Sequence, residues 1–124
     1  MKKIRIKINH KDERGLIVDL LEKKNINAIT YITQKKGKIR GNHFHKKTTQ
    51  WNYLLKGKLE LVTKNNKKER KIILLKGDLV ETSMNEAHAI RALKNSEFLV
   101  FTQGPRGGKE YENDTFRLNK PLIK

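Results

Sequence analysis

Cysteine is absent from this 124-residue chain, so disulfide bonds and thiolate metal ligands are excluded. No apolar run approaches the roughly 18 residues of a membrane-spanning helix. The N-terminus alternates charged residues with Ile and lacks the apolar core of a secretory signal. We therefore expect a cytoplasmic protein that makes no use of a membrane. The length suits one domain and nothing resembles a linker, so we predict a single domain over residues 1–124.

Acidic residues are scarce, with 13 Asp and Glu against 29 Lys and Arg and a formal net charge of +16. A field of this sign attracts anions, nucleic acids among them. The lysines are nevertheless scattered through the predicted turns, and aromatic side chains, which stack on bases, make up only 6% of the chain. Nucleic acid is therefore an unfavoured partner, and a small anionic substrate would be drawn in by the same field.

Long helical periods are also missing, whereas short alternating segments recur at intervals of roughly 8–12 residues. Alternation is clear at Ile4–Ile8 and Gln50–Leu55, and the segment 16–21 fits either a strand or one helical turn. This texture predicts an all-β sandwich or barrel. The last portion, 103–124, is expected to be an irregular loop with a short final strand near Thr115–Leu118.

Two of the four histidines, His43 and His45, are two positions apart in a strand-like segment. Side chains at i and i+2 of a strand point to the same face, so these two imidazoles are expected side by side, with Phe44 facing the other way. A third histidine, His88, lies in a later segment that opens with Gly77-Asp78. Two histidines fixed by a strand and one brought in by the fold predict a metal site or an acid–base site.

These segments resemble the paired motifs of the cupin superfamily. The first motif is matched by Gly41, His43, His45, Gln50 and Gly57, and the second by Gly77-Asp78 and His88. Gln50 stands where the family usually has an acidic residue. The resemblance extends over roughly 39–101 and implies a double-stranded β-helix, the cupin jelly roll.

Within the cupins the chain resembles the sugar-nucleotide isomerase and epimerase branch. Asp12-Glu13-Arg14-Gly15 is similar to the Asp-x-Arg-Gly segment of dTDP-4-dehydrorhamnose 3,5-epimerases, whose arginine helps to hold phosphates. The stretch 40–47 is similar to the 3,4-ketoisomerases and to the C-terminal cupin of capsular polysaccharide-synthesising reductases. The resemblance implies an isomerase or epimerase that acts on a nucleotide-linked 4-keto sugar, a precursor of deoxysugars or surface polysaccharides.

The resemblance leaves two chemistries open at the histidines. In one, His43, His45, Gln50 and His88 bind one divalent ion (Zn, Fe, Mn or Ni), with the neutral amide as the weakest ligand. In the other, His43 and His45 act as acid and base without metal, because a histidine pKa near 6.5 suits both steps of a proton transfer next to a carbonyl.

The substrate of such an enzyme carries a diphosphate, for which Arg14 and Arg40 are the candidate ligands. Asn52 is expected to share the face of Gln50 and to make a polar contact with the substrate. A homodimer is expected, because Ile4–Ile8 would form an exposed edge strand. Two alternatives stay open: a metal-dependent cupin oxygenase or other small-molecule enzyme, and a non-catalytic sugar-binding cupin.

Overall fold

The computed structural model describes all residues, 1–124. The chain forms twelve β-strands and one short helix, which confirms the all-β prediction. In chain order these elements are β1 (Lys2–Ile4), β2 (Ile8–Asp12), β3 (Gly15–Val18), β4 (Ala28–Gln34), β5 (Ile39–Phe44), β6 (Thr49–Lys56), β7 (Lys58–Asn65), β8 (Lys68–Leu75), β9 (Leu79–Thr82), β10 (Ala87–Ala92), β11 (Ser96–Gln103), α1 (Gly108–Asn113) and β12 (Phe116–Arg117).

Ten of the strands form two five-stranded antiparallel sheets that pack face to face. One sheet has the order β1-β9-β6-β11-β4, and the other has the order β12-β5-β10-β7-β8. Alternate apolar residues of both sheets meet in one core, in which Leu54 and Phe98 of the first sheet pack with Leu59, Leu61 and Leu74 of the second. Each such side chain contributes about 1.5–3 kcal/mol through its burial. Several side chains of this core also line a cavity between the two sheets.

The alternating N-terminal segment does not form the single strand expected over Ile4–Ile8, because its two ends belong to different strands. β1 ends at Ile4 after pairing with β9, whereas β2 begins at Ile8 and pairs only with β3 in a separate hairpin. Alternation indicates an extended backbone but does not identify the partner strand, and here the partner changes between the two ends of the segment. Of segment 16–21, the first three residues form part of β3 and the last three lie outside any strand or helix, so the strand interpretation is correct for the first half only.

The C-terminal portion is more regular than predicted. Its final strand lies within the expected range, at Phe116–Arg117, but helix α1 was not predicted. Six residues are fewer than two helical turns, so no period can show in the sequence. No helix of the structure has the length and apolar character needed to cross a membrane.

Candidate active site

Strands β5 and β10 bring the three predicted histidines together at the open end of the jelly roll. His43 of β5 is the register partner of His88 of β10, and the pairing shifts by a bulge immediately after His88. The ring centroids of His43 lie 4.8 Å from those of both His45 and His88, and the last two rings are 5.4 Å apart. Phe44 faces the other way and stacks on Phe116 at 5.2 Å. The predicted alternation is therefore correct.

A glycine permits this close approach of the two strands. Gly41 has a φ of +91°, and a Cβ atom placed there would lie 2.8 Å from the backbone oxygen of His88. Real Cβ atoms essentially never come so close to an oxygen. Gly41 thus lets β5 lie against the β10 bulge two residues before the first catalytic candidate.

Backbone carbonyls determine where two of the imidazoles carry their protons. The Nδ1 atom of His45 lies 2.9 Å from the carbonyl oxygen of Asp114, and Nδ1 of His88 lies 3.2 Å from that of Glu86. A carbonyl can only accept, so each Nδ1 donates its hydrogen and each Nε2 of the neutral ring keeps a lone pair. Nε2 of His45 is buried and has no hydrogen-bond partner in the protein. Such an orphaned acceptor suits a site that takes up a proton or a cation.

The environment keeps all three imidazoles neutral at pH 7. Burial, assisted by the neighbouring His88 and His45, lowers the pKa of His43 to about 3. Burial, assisted by His45, lowers the pKa of His88 to about 4. Burial also lowers the pKa of His45, although the carbonyl and the charge of Asp114 act in the opposite direction. The site therefore presents imidazole lone pairs to whatever enters it.

A cavity of about 460 Å³ opens beside the histidines. His43 and His88 form part of its wall, together with the predicted Arg40, Gln50 and Asn52. Gln50 and Asn52 are nearly buried, with relative exposures of 8% and 5%. The apolar floor consists of side chains from both sheets, among them Ile32, Leu61, Ile90, Phe98 and Val100.

Two predicted residues lie outside this wall. His45 is 2% exposed and stands behind the other two imidazoles, with the ring of Tyr111 5.2 Å away. Arg14 lies near the tip of the β2–β3 hairpin, where its exposed guanidinium contacts Asp12 at 2.6 Å. The Arg14 guanidinium and its hydrogen bonds hold the pKa of Asp12 at about 2. Within one chain, Arg14 does not reach the cavity.

The structure adds three residues that sequence reasoning did not select. Arg106, Tyr111 and Arg117, all from the C-terminal portion, complete the cavity wall. The guanidinium carbon of Arg106 lies 4.3 Å from the ring centroid of Tyr111. Arginines are inconspicuous in a chain with 29 basic residues. The only available signal was Tyr111, an aromatic residue within an otherwise polar segment.

The donor set of the histidine cluster fits a divalent transition-metal ion. Three histidine nitrogens lie within 4.8 Å of one another, and the orphaned Nε2 of His45 is among the side-chain atoms that could bind. In tetrahedral geometry, zinc–nitrogen bonds of about 2.0–2.1 Å place two ligands about 3.4 Å apart. The widest pair would thus close by up to about 1.4 Å around an ion. Gln50 is the neighbouring oxygen donor on the cavity wall.

Comparison with known proteins identifies the family. Residues 10–116 match the family described as "Polysaccharide biosynthesis C-terminal domain". The chain belongs to this family. Among curated proteins, no significant match is found for this polysaccharide biosynthesis C-terminal domain.

Solved structures similar to this polysaccharide biosynthesis C-terminal domain include 3,4-ketoisomerases and dTDP-4-dehydrorhamnose 3,5-epimerases. A 3,4-ketoisomerase from Helicobacter canadensis is 24% identical, with a TM-score of 0.79 over 94% of this chain and 89% of that chain. The WlaRB TDP-quinovose 3,4-ketoisomerase from Campylobacter jejuni is 20% identical, with a TM-score of 0.81 over 94% and 91%. A dTDP-4-dehydrorhamnose 3,5-epimerase from Sulfolobus tokodaii is 18% identical, with a TM-score of 0.70 over 86% and 70%. These likenesses confirm the predicted cupin jelly roll.

Proposed function

We propose that the protein is an isomerase or epimerase that acts on a nucleotide-linked 4-keto sugar by proton transfer at its histidines. The observation that carries this proposal is a cluster of three neutral imidazoles, two of them in the wall of a cavity that has cationic but no acidic lining residues. The family and the similar ketoisomerases and epimerases support the same reaction class.

A neutral imidazole can remove a proton from carbon next to a carbonyl, although the pKa of about 3 makes His43 a weaker base than a free histidine. A base takes the proton, the C–H electron pair forms a carbon–carbon double bond, and the carbonyl oxygen becomes an enediol oxygen. Return of a proton to the former carbonyl carbon, while the hydroxyl on the first carbon loses its proton and becomes the new carbonyl, gives the isomer; return to the opposite face of the first carbon, with the original carbonyl restored, gives the epimer. His43 faces the cavity and is placed to make this transfer directly. His45 is the second member of the pair, and its buried ring lies between His43 and the ring of Tyr111, 4.8 Å and 5.2 Å from them.

The cations of the cavity suit an anionic substrate. Arg40, Arg106 and Arg117 all contribute to its wall, and no Asp or Glu does. One guanidinium group can bind two phosphate oxygens at once through parallel charge-assisted hydrogen bonds. They also stabilise the negative charge that develops on the carbonyl oxygen as the carbon-bound proton leaves. A nucleoside diphosphate sugar supplies both features in one molecule.

A metal-dependent reaction is the second candidate, and the spacing of the three histidine nitrogens favours it. His43, His45 and His88 would hold the ion, with Gln50 as a neutral oxygen donor. When bound there, a divalent ion would polarise the substrate carbonyl as a Lewis acid. Elemental analysis of untagged protein purified without chelator tests this candidate. About one equivalent of Zn, Fe, Mn or Ni that is lost in His43→Ala supports it, and a metal-free protein argues against it.

Incubation with TDP-4-keto-6-deoxyglucose in D₂O, followed by NMR and mass spectrometry of the sugar, tests the proposed function. We expect deuterium to enter the sugar next to the carbonyl and the 4-keto sugar to rearrange. His43→Asn should abolish both. Lys94→Asn is the control, because Lys94 is exposed in the turn between β10 and β11 and does not line the cavity. Binding of the sugar nucleotide with no exchange, at an affinity that His43→Asn leaves intact, would instead indicate a non-catalytic sugar-binding protein.

We further propose that two copies of this chain form a homodimer through the exposed hairpin. Hairpin β2–β3 pairs with no other strand, and an isolated two-stranded hairpin is only marginally stable. It exposes Ile8, Leu16 and Ile17, and strand β4, at the other edge of the sheet that begins with β1, exposes Ile29 and Tyr31. Burial of these apolar side chains against a second copy would stabilise both surfaces. Arg14 lies on the same hairpin, so its predicted phosphate contact requires the cavity of a second copy.

Analytical ultracentrifugation tests the dimer. Wild-type protein at micromolar concentration should sediment as a dimer, and Ile17→Lys should shift it to monomer. Met84→Lys is the control, because Met84 is similarly exposed but lies in a turn away from the hairpin. A monomeric wild type would refute the proposal.

A further inference from the structure

Asp114, which lies between α1 and β12, contacts the histidine strand with two different parts of the same residue. It is a nearly buried acid, with 5% relative exposure, and it ends the helix that carries Tyr111. Its backbone carbonyl accepts the hydrogen bond from Nδ1 of His45 at 2.9 Å. Backbone carbonyls are common histidine partners, so this contact alone does not distinguish Asp114 from any other residue at its position.

The side chain of Asp114 turns back to the residues that directly follow His45. Its Oδ1 atom accepts hydrogen bonds from the backbone nitrogens of Lys46 and Lys47, both at 3.1 Å, and Oδ2 accepts from Lys47 at 3.1 Å. Oδ2 also accepts the hydroxyl hydrogen of Thr48 at 2.7 Å. The carboxylate therefore binds the loop that leaves the His45 strand, while the carbonyl binds the His45 ring.

This double attachment has a consequence for the imidazole. The Asp114 carboxylate holds the loop after His45 close to the peptide of Asp114. The donor and the acceptor of the His45–Asp114 hydrogen bond therefore keep a fixed relative position. A ring that donates from Nδ1 must leave the Nε2 lone pair free, and Nε2 is the buried atom without a partner. Without the carboxylate the Asp114 peptide and the loop could move apart, and the ring could place its proton on either nitrogen.

We propose that Asp114 is a positioning residue for His45: its carboxylate anchors the 46–48 loop so that its own carbonyl keeps the His45 proton on Nδ1 and the Nε2 lone pair toward His43 and His88. The catalytic consequence rests on the proposed function, whereas the tautomer does not. Removing the anchor should impair proton transfer without weakening substrate binding, because Asp114 does not line the cavity.

The test combines kinetics with imidazole ¹⁵N NMR, which shows directly which ring nitrogen carries the proton. The variants are Asp114→Asn, which keeps the shape but loses the carboxylate, and Thr48→Val, which removes one donor to it. Asp78→Asn is the matched control, since Asp78 also accepts a backbone hydrogen bond (from Leu75 at 2.8 Å) but in a distant turn. The spectra are recorded after treatment with a chelator, so that a metal at Nε2 does not itself dictate the tautomer.

In wild type we expect the His45 proton entirely on Nδ1. In Asp114→Asn we expect it shared between the two nitrogens, with kcat lowered roughly tenfold and KM changed less than twofold. Thr48→Val should shift both quantities in the same direction by less, and Asp78→Asn should shift neither. An Nε2–H tautomer in wild type, or variants at Asp114 and Thr48 that match the Asp78→Asn control, would overturn the proposal. If the wild type turns over no sugar nucleotide, the proposed function fails, and the tautomer comparison still decides the role of Asp114.

Discussion

Replacing Gly41 by alanine should destabilise the protein by more than the backbone conformation alone explains. Gly41 and Gly77 have nearly the same φ, +91° and +88°, but their surroundings differ. A Cβ on Gly41 would lie 2.8 Å from the oxygen of His88, whereas a Cβ on Gly77 would have no atom within 4 Å. The pair Gly41→Ala and Gly77→Ala therefore separates steric overlap at the site from the cost of positive φ.

The magnitude follows from these two contributions. Both variants pay about 1–2 kcal/mol for an L-residue at positive φ. Only Gly41→Ala adds overlap with backbone, for which crowding in a packed site typically costs about 1–3 kcal/mol. The free energy of unfolding of Gly41→Ala should thus fall below that of Gly77→Ala by about 1–3 kcal/mol. For a chain of this size the difference corresponds to roughly 4–12 °C in Tm.

Urea denaturation and thermal melting measure the stability difference, and deuterium exchange into the sugar measures its effect on the site. Because the overlap can be relieved only if β5 moves away from β10, Gly41→Ala should also separate His43 from His88 and slow the exchange. Gly77→Ala should retain the wild-type exchange rate. Equal stability losses in the two variants would refute the argument that Gly41 is required for close strand approach.

Three further predictions concern residues near the site. Asn42→Ala should destabilise by about 1–3 kcal/mol in urea melts, because the Asn42 amide binds the backbone of Leu122 and Ile123; an unchanged midpoint would contradict this. In chelator-treated protein, the free energy of unfolding should fall by up to about 3 kcal/mol as the pH drops from 6.5 to about 4. Over this range the unfolded chain binds a proton at His88, whereas the folded chain does not. His88→Gln should remove this contribution to the pH dependence of the free energy of unfolding. Arg117→Ala should raise KM for the sugar nucleotide at least tenfold, whereas an unchanged KM in steady-state assays would mean that Arg117 does not contact the diphosphate.

The part of the site that lies on regular strands could be predicted from the sequence, and the part on irregular backbone could not. The period of two in β5 fixed the common face of His43 and His45, and the alternation in β6 correctly placed Gln50 and Asn52 on one face. His88 required the spacing of a second motif. The bulge after His88 could not be predicted, because an extra residue in one strand becomes apparent only from how the two strands pair.

The C-terminal contributions illustrate the limit most clearly. Arg106 and Tyr111 reach the cavity from a loop and a six-residue helix, which have no periodicity to identify their direction. Asp114 could not be identified as a site residue for another reason: it contacts His45 through its own backbone carbonyl, and two of the partners of its carboxylate are backbone nitrogens, which every sequence contains. Arg14 is the opposite case. The family resemblance suggested it as a site residue, but within one chain its side chain contacts Asp12 instead.

The division of the cavity between two stretches of chain has an evolutionary consequence. The imidazoles come from β5 and β10 in the middle of the sequence, whereas Arg106, Tyr111 and Arg117 come from the last quarter. Under the proposed function, substitutions in 103–117 would therefore alter which sugar nucleotide is accepted without changing the histidine cluster. Residues such as Asp114 limit this freedom, because the same short stretch also supports His45. Divergence in substrate preference is thus expected to change the arginines and Tyr111 around a retained aspartate.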